Sequence, residues 1–171
     1  ATGIDLNSGA FKYVASINEI VFSSDAYTVN EDGTATITIL RNGDTAGEVS
    51  ATLALGNGTA IAPADYDNTP ITVTFADGKI TQTVTIPIVD DGDFEGDETL
   101  NLSLTNPTGG VSIGDRNTAT LTIVDNDAPM PGTLAFNRSS YSLSEDGTPV
   151  IAVTVTRTGG SDDEVSATLF L

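Results

Sequence analysis

The residues of this chain with chemistry to offer are carboxylates set beside strand-like segments. Glu31 lies in the turn before "TATITIL", and Asp65 lies in "PADY", in a long loop after "EVSATLAL". Asp90, Asp91, Asp93 and Glu95 follow "TVTIPIV", while Asp125 and Asp127 follow "TATLTIV". Two unit charges about 4 Å apart repel by roughly 4 kcal/mol at an effective dielectric near 20. A gathering of such groups would splay its loops or raise their pKa values unless a cation joined them. Calcium suits the task, because it accepts about 6–8 oxygens at roughly 2.3–2.6 Å in flexible geometry, whereas magnesium prefers to keep its waters. Gly92 and Gly96 let the backbone wrap closely enough to offer carbonyls. The competing reading of "DDGDFEGDE" is a merely solvated loop.

The stretch is not an EF-hand. Counted from Asp91, Asp93 and Glu95 take the third and fifth positions and Gly96 the sixth. Leu102 stands at the twelfth, where a bidentate Glu is required, and a strand follows instead of a helix. Any site here must draw ligands from distant loops.

Composition narrows the remaining chemistry. Of the 171 residues, Asp and Glu number 24 against 6 Lys and Arg, a formal charge of −18 that argues against nucleic acid or an anionic membrane as partner. His, Cys and Trp are absent, which removes triad chemistry, imidazole and thiolate metal sites, and any disulfide framework. Paired carboxylates also serve glycoside cleavage, but that needs a cleft with aromatic platforms, and the chain has 4 Tyr and no Trp. The expectation is no enzyme. No apolar run approaches the roughly 20 residues of a spanning helix, so direct membrane insertion is not expected. The chain begins without Met and reads as a piece of a longer protein.

The elements that must position the acids are strands. Apolar residues alternate at Ala35, Ile37, Ile39; at Val49, Ala51, Leu53, Leu55; and at Ile71, Val73, Phe75. They do so again at Ile80, Val84, Ile86, Ile88; at Leu100, Leu102, Leu104; and at Ala119, Leu121, Ile123. Thr and Ser fill the alternate positions, the pattern of antiparallel sheets with one wet face. Asp77-Gly78 between two such runs reads as a tight hairpin, and Pro87 marks an edge or a bulge. The spacing predicts an all-β, immunoglobulin-like, seven-stranded antiparallel β-sandwich. In such a Greek key, loops after alternate strands meet at one pole, which is where all the acids are expected.

The chain also repeats itself. "FSSDAYTVNEDGT" from Phe22 is echoed by "FNRSSYSLSEDGT" from Phe136, and "EVSATL" at 48–53 recurs at 164–169. The expected organisation is an N-terminal extension at 1–20, a complete sandwich at 21–127, a linker at 128–133, and the first half, about three strands, of a second repeat at 134–171. Half a sandwich leaves Val153, Val155, Val165, Leu169 and Leu171 without an opposing sheet. A second copy of the same half, giving a homodimer, is one cover for that face. Residues 1–20 are another, since Phe11, Tyr13, Ala15 and Ile17 alternate like a loose strand.

"YTVNEDGTATITILR", "GTAIAPADY", "TVTFADGKITQTVTIPIVDDGDFEGDETLNLSLTNP" and "TATLTIVDND" together resemble the Calx-β family. These are the calcium-binding sandwich repeats of sodium/calcium exchangers, integrin β4-like proteins and bacterial surface proteins. The resemblance implies a calcium site from Glu31, Asp65, Asp90, Asp91, Glu95, Asp125 and Asp127. Asp93 matches a place served by a backbone carbonyl, and Glu98 would be a peripheral ligand. Asn126 and Gly92 stand where acids occur in the tightest sites, which implies fewer ions or weaker binding. The second copy keeps Glu145 and lacks the later ligands. The function implied is a calcium-binding repeat of a larger extracellular or cell-surface protein, with Ca2+ stiffening the loops and the linker to neighbouring repeats. A metal-independent adhesion or scaffold repeat, and a regulatory calcium sensor of a membrane transporter, stay open beside it.

Overall fold

The computed structural model describes residues 17–147 and 150–170. Phe11, Tyr13 and Ala15 of the expected loose strand lie outside the described residues, as does Leu171. No helix occurs among the described residues, so none is long and apolar enough to cross a membrane. The chain divides into two compact units, Ala1–Asp91 with Glu95–Asn126, and Gly92–Phe94 with Asp127–Leu171.

The first unit is a two-sheet sandwich. Its strands are β1 (Asn18–Phe22), β2 (Ala26–Asn30), β3 (Thr34–Gly43), β4 (Val49–Asn57), β5 (Ile71–Phe75), β6 (Thr81–Pro87), β7 (Glu98–Thr108), β8 (Ser112–Ile113) and β9 (Thr118–Val124). One sheet runs β6-β3-β1-β8 and the other β2-β9-β7-β4-β5. The apolar rows read from the sequence are the core: Ala35, Ile37 and Ile39 face Leu53, Leu100, Leu102, Leu121 and their neighbours in one buried cluster. Ile80 departs from that pattern and is exposed, because β6 begins only at Thr81.

Nine strands stand where seven are expected, for two reasons. The first strand is split: β1 pairs with β3, and after a break at Ser23–Asp25 the chain crosses to the other sheet, where β2 pairs with β9. The two-residue β8 adds a short edge beside β1. Both β1–β8 and β2–β9 run parallel, so the sandwich is mainly, not wholly, antiparallel. Strand β1 also opens at Asn18, inside the stretch expected to be an extension. Its alternation is hidden because Ile20 and Phe22 enter the core while Val21, on the other face, is covered too.

Asp77-Gly78 does make a turn, with the Lys79 amide donating to the Ala76 carbonyl at 3.0 Å and Gly78 at φ +77°. It is not a hairpin. β5 pairs with β4 in one sheet and β6 with β3 in the other, so the turn carries the chain between sheets. Pro87, which has no amide hydrogen, closes β6 at an outer edge of its sheet, as expected.

The second unit is smaller. Its two strands, β10 (Thr133–Phe136) and β11 (Val155–Thr158), pair antiparallel. About three strands are expected there, but residues 164–170 form none. Their counterpart β4 is held by ladders to β5 and β7, whereas among the described residues of this unit the β10–β11 ladder is the one strand pairing.

Candidate metal centre

Four acids of the first unit, Glu31, Asp90, Glu98 and Asp125, each sit one step beyond an inward-facing apolar row. Along β7 the core positions Leu104, Leu102 and Leu100 lead to Glu98, and along β9 Leu121 and Ile123 lead to Asp125. Past β6, Ile86 and Ile88 lead to Asp90, and past β2, Val29 leads to Glu31. Because side chains alternate, the parity that fills the core delivers carboxylates to its end. Glu31 is only 7% exposed, an uncommon state for a carboxylate.

Asp65 arrives from the loop after β4. Tyr66, fully buried, anchors that loop by donating from its hydroxyl to Asn57 Oδ1 at 2.8 Å. A bridge between Tyr66 and Ile88, and the Val89 amide donating to the Asp65 carbonyl at 2.9 Å, tie the loop to the end of β6. The Ile61 amide donates to Asp65 Oδ2 at 2.6 Å and fixes the carboxylate itself.

Asp125 organises the start of the opposite loop. Its Oδ2 accepts from the amides of Glu95 at 2.8 Å and Gly96 at 2.5 Å, and Gly96 adopts φ +78°, a conformation that favours glycine. Nearby, Asn126 Nδ2 donates to Asp90 Oδ1 at 3.2 Å.

The result is a cluster within one unit. Asp65, Glu95 and Glu98 each offer a carboxylate oxygen, and these atoms lie within 4.8 Å of one another. Two ligands on opposite sides of a calcium ion, each at about 2.4 Å, are separated by about that distance. With Glu31, Gly96 and Asp125 they line a cavity of about 10 Å3, room for one water-sized sphere. Burial, a hydrogen bond with Asp65, and the charges of Asp65, Glu95 and Glu31 together push the Glu98 carboxyl from its ordinary 4.5 up to about 7. The donor set is all oxygen and crowded, with Asp65 and Glu98 half-buried and Glu95 exposed, and it fits a hard cation.

Of the expected ligands, the structure therefore brings Asp65 and Glu95 together and sets Glu31 and Asp125 on the same cavity. Asp90 is held by Asn126, and Asp91 is exposed. Asp93 and Asp127 group with the second unit and are described with it: Asp93 is exposed and Asp127 half-buried. Glu98, expected only at the periphery, belongs to the cluster.

Comparison with known families matches the Calx-beta domain at residues 15–127 and again at 127–170. Adhesion G-protein coupled receptor V1 of Danio rerio is 36% identical over 125 residues, which cover 72% of this chain and 2% of the receptor. Sodium/calcium exchanger 1 of Rattus norvegicus is 31% identical over 168 residues, covering 87% of this chain and 17% of the exchanger. Among solved structures, the calcium binding domain CBD12 of CALX1.1 superposes with a TM-score of 0.62 at 30% identity, covering 83% of this chain and 59% of that one. The chain thus spans a small part of the curated relatives it matches.

Proposed function

This chain belongs to the Calx-beta domain family, and from that premise we propose that it is a calcium-binding modular repeat of a larger extracellular or cell-surface protein. The observation that carries the reading is the convergence of Asp65, Glu95 and Glu98 oxygens within 4.8 Å on an inward-facing cavity. Such a cluster is costly as three anions and favourable around a divalent cation. The related structure described as a calcium binding domain supports the choice of ion.

Glu31, Asp65, Glu95, Glu98 and Asp125 are the proposed ligands of the first unit. Asp90, Asp91, Asp93 and Asp127 stay in the proposal on their sequence positions. Asp125 carries the mechanical role: it clamps the amides of Glu95 and Gly96 and stands directly before the chain leaves the first unit at Asn126. Calcium there stiffens both the loop and the linker, 128–133, to the following repeat. We assign no catalytic role, since neither His nor Cys is present. A homodimer through the second unit is a separate proposal, resting on exposed Val155 and Leu169.

Calorimetric titration of chelator-stripped protein tests the reading. Saturable calcium binding, lost in Asp65→Asn together with Glu95→Gln, is the expected result. Binding that survives both substitutions would place the ion elsewhere, and no binding would leave a metal-independent adhesion or scaffold repeat.

A further inference from the structure

In the first unit an early strand and the last strand lie side by side and point the same way. β2 and β9 pair in parallel, from Ala26↔Thr120 to Asn30↔Val124. The ladder is closed at both ends: the Thr120 amide donates to the Asp25 carbonyl at 2.9 Å, and the Glu31 amide to the Val124 carbonyl at 3.0 Å. In a parallel ladder alternate residues of a strand turn both backbone groups to the partner. With Asp25 and Glu31 at its ends, β2 therefore presents Tyr27 and Val29 to β9, while Ala26, Thr28 and Asn30 turn theirs to the outer edge of the sheet.

The crossing from β1 to β2 is stapled as well. Arg116, just before β9, donates from Nη1 to the carbonyls of Phe22 at 3.2 Å and Ser23 at 2.6 Å, and its own carbonyl accepts from the Phe22 amide at 2.9 Å. Tyr27 donates from its hydroxyl to the Thr38 carbonyl of β3 at 3.0 Å, and the same oxygen lies 3.1 Å from Ser23 Oγ. β1 is itself laddered to β3 from Asn18 to Phe22. The segment from Asn18 to Glu31 is thus fastened to β3 in one sheet and to β9 in the other.

Direction decides what this fastening does. β3 starts beside the acids and runs away from them, so β1, antiparallel to it, runs toward them. β2 and β9 end at that same pole, in Glu31 and Asp125. Tension that enters at Asn18 and leaves beyond Val124 therefore acts at opposite poles and along the strands. It loads the β2–β9 bonds together in shear, whereas tension across the starts of the two strands opens them one after another. A single bond contributes only about 0.5–1.5 kcal/mol net, so resistance comes from having to break them at once. Yielding under force is governed by the rate of unfolding.

We propose that the first unit is a load-bearing module whose mechanical clamp is the parallel β2–β9 ladder, a function beyond cation binding. It resists tension along its strands and yields to tension across them. Glu31 and Asp125 continue the same two strands and line one cavity, so the proposed calcium site sits at the end of the clamp, and the clamp holds without it.

Single-molecule pulling tests this, because the chain has no Cys and paired cysteines give unique attachment points. In chelator, Ile17→Cys with Ala128→Cys loads the unit lengthwise, and Asp25→Cys with Asn117→Cys, at the starts of β2 and β9, peels the ladder. These positions are exposed. The lengthwise unfolding force should exceed the peeling force by about twofold or more at one pulling speed. Val29→Pro, which deletes a ladder donor, should bring the lengthwise force down to the peeling value, while Thr28→Pro, on the outer edge, should keep it. A cooperative melt of each proline variant without load shows that the unit is folded before it is pulled. Equal forces in the two directions with the native ladder would overturn the proposal, whatever the proline variants do. So would a folded Val29→Pro variant that keeps the parent's lengthwise force. Because no calcium is present, either outcome would leave the calcium reading untouched.

Discussion

Replacing Glu98 by Gln tests the electrostatics of the cluster without a metal. In metal-free protein the Glu98 carboxyl titrates near 7 instead of 4.5, because burial and the neighbouring Asp65, Glu95 and Glu31 disfavour its anion. The folded state then holds this proton more tightly than the unfolded chain. Stability from it is complete below about pH 4.5 and is lost as the pH rises through about 7. At 1.36 kcal/mol for each pH unit, the interval between the two values sets a ceiling of about 3 kcal/mol. Partial exposure and solvent screening reduce that to on the order of 1–2 kcal/mol. Gln imitates the protonated acid, being neutral and keeping a donor for Asp65. In chelator at pH 8, Glu98→Gln should raise the first unit's melting temperature by roughly 5–10 °C, since 1 kcal/mol corresponds to about 4–8 °C in a domain of this size. At pH 5 the two proteins should melt together. Circular dichroism melts at both pH values read this directly. A variant that is no more stable than the parent at pH 8 would refute the claim that the cluster is electrostatically strained.

Two further substitutions probe how the site is held. Tyr66→Phe removes the hydroxyl bonded to Asn57 and should cost about 1 kcal/mol in chemical denaturation while the fold persists. Asp125→Ala deprives the Glu95 and Gly96 amides of their acceptor, so calorimetry should give at least a tenfold weaker calcium affinity and hydrogen exchange should show faster opening at both amides.

The sandwich was legible because period-two alternation depends only on which face is buried. Leu100, Leu102 and Leu104 announce their strand as plainly as they fill the core. β1 was not legible: with Ile20, Val21 and Phe22 all buried, no alternation survives to be read. Nor can a turn name its sheets. Asp77-Gly78 encodes a reversal at positive φ, whereas the pairing of β5 with β4 and of β6 with β3 is decided by contacts far away in the sequence.

The acids are visible in the sequence as a group, and the structure sets Glu98 beside Asp65 and Glu95. Its signal is parity: it continues the even-numbered inward row of β7 and so faces the cavity beside Asp65 and Glu95. Asn126 shows the reverse, a departure from a fully acidic run whose consequence depends on a partner 36 residues away in the sequence. Its amide lies on Asp90, where it supplies a neutral donor to the carboxylate.

Thermal unfolding of chelator-stripped protein, with and without millimolar calcium and with magnesium as control, bears most directly on the central claim. A native-state ligand at about 100 times its dissociation constant adds roughly 2.7 kcal/mol. The first unit's midpoint should then rise by roughly 10 °C with calcium and little with magnesium. An unchanged midpoint at calcium concentrations up to tens of millimolar would contradict the assignment of Asp65, Glu95 and Glu98 as a calcium site.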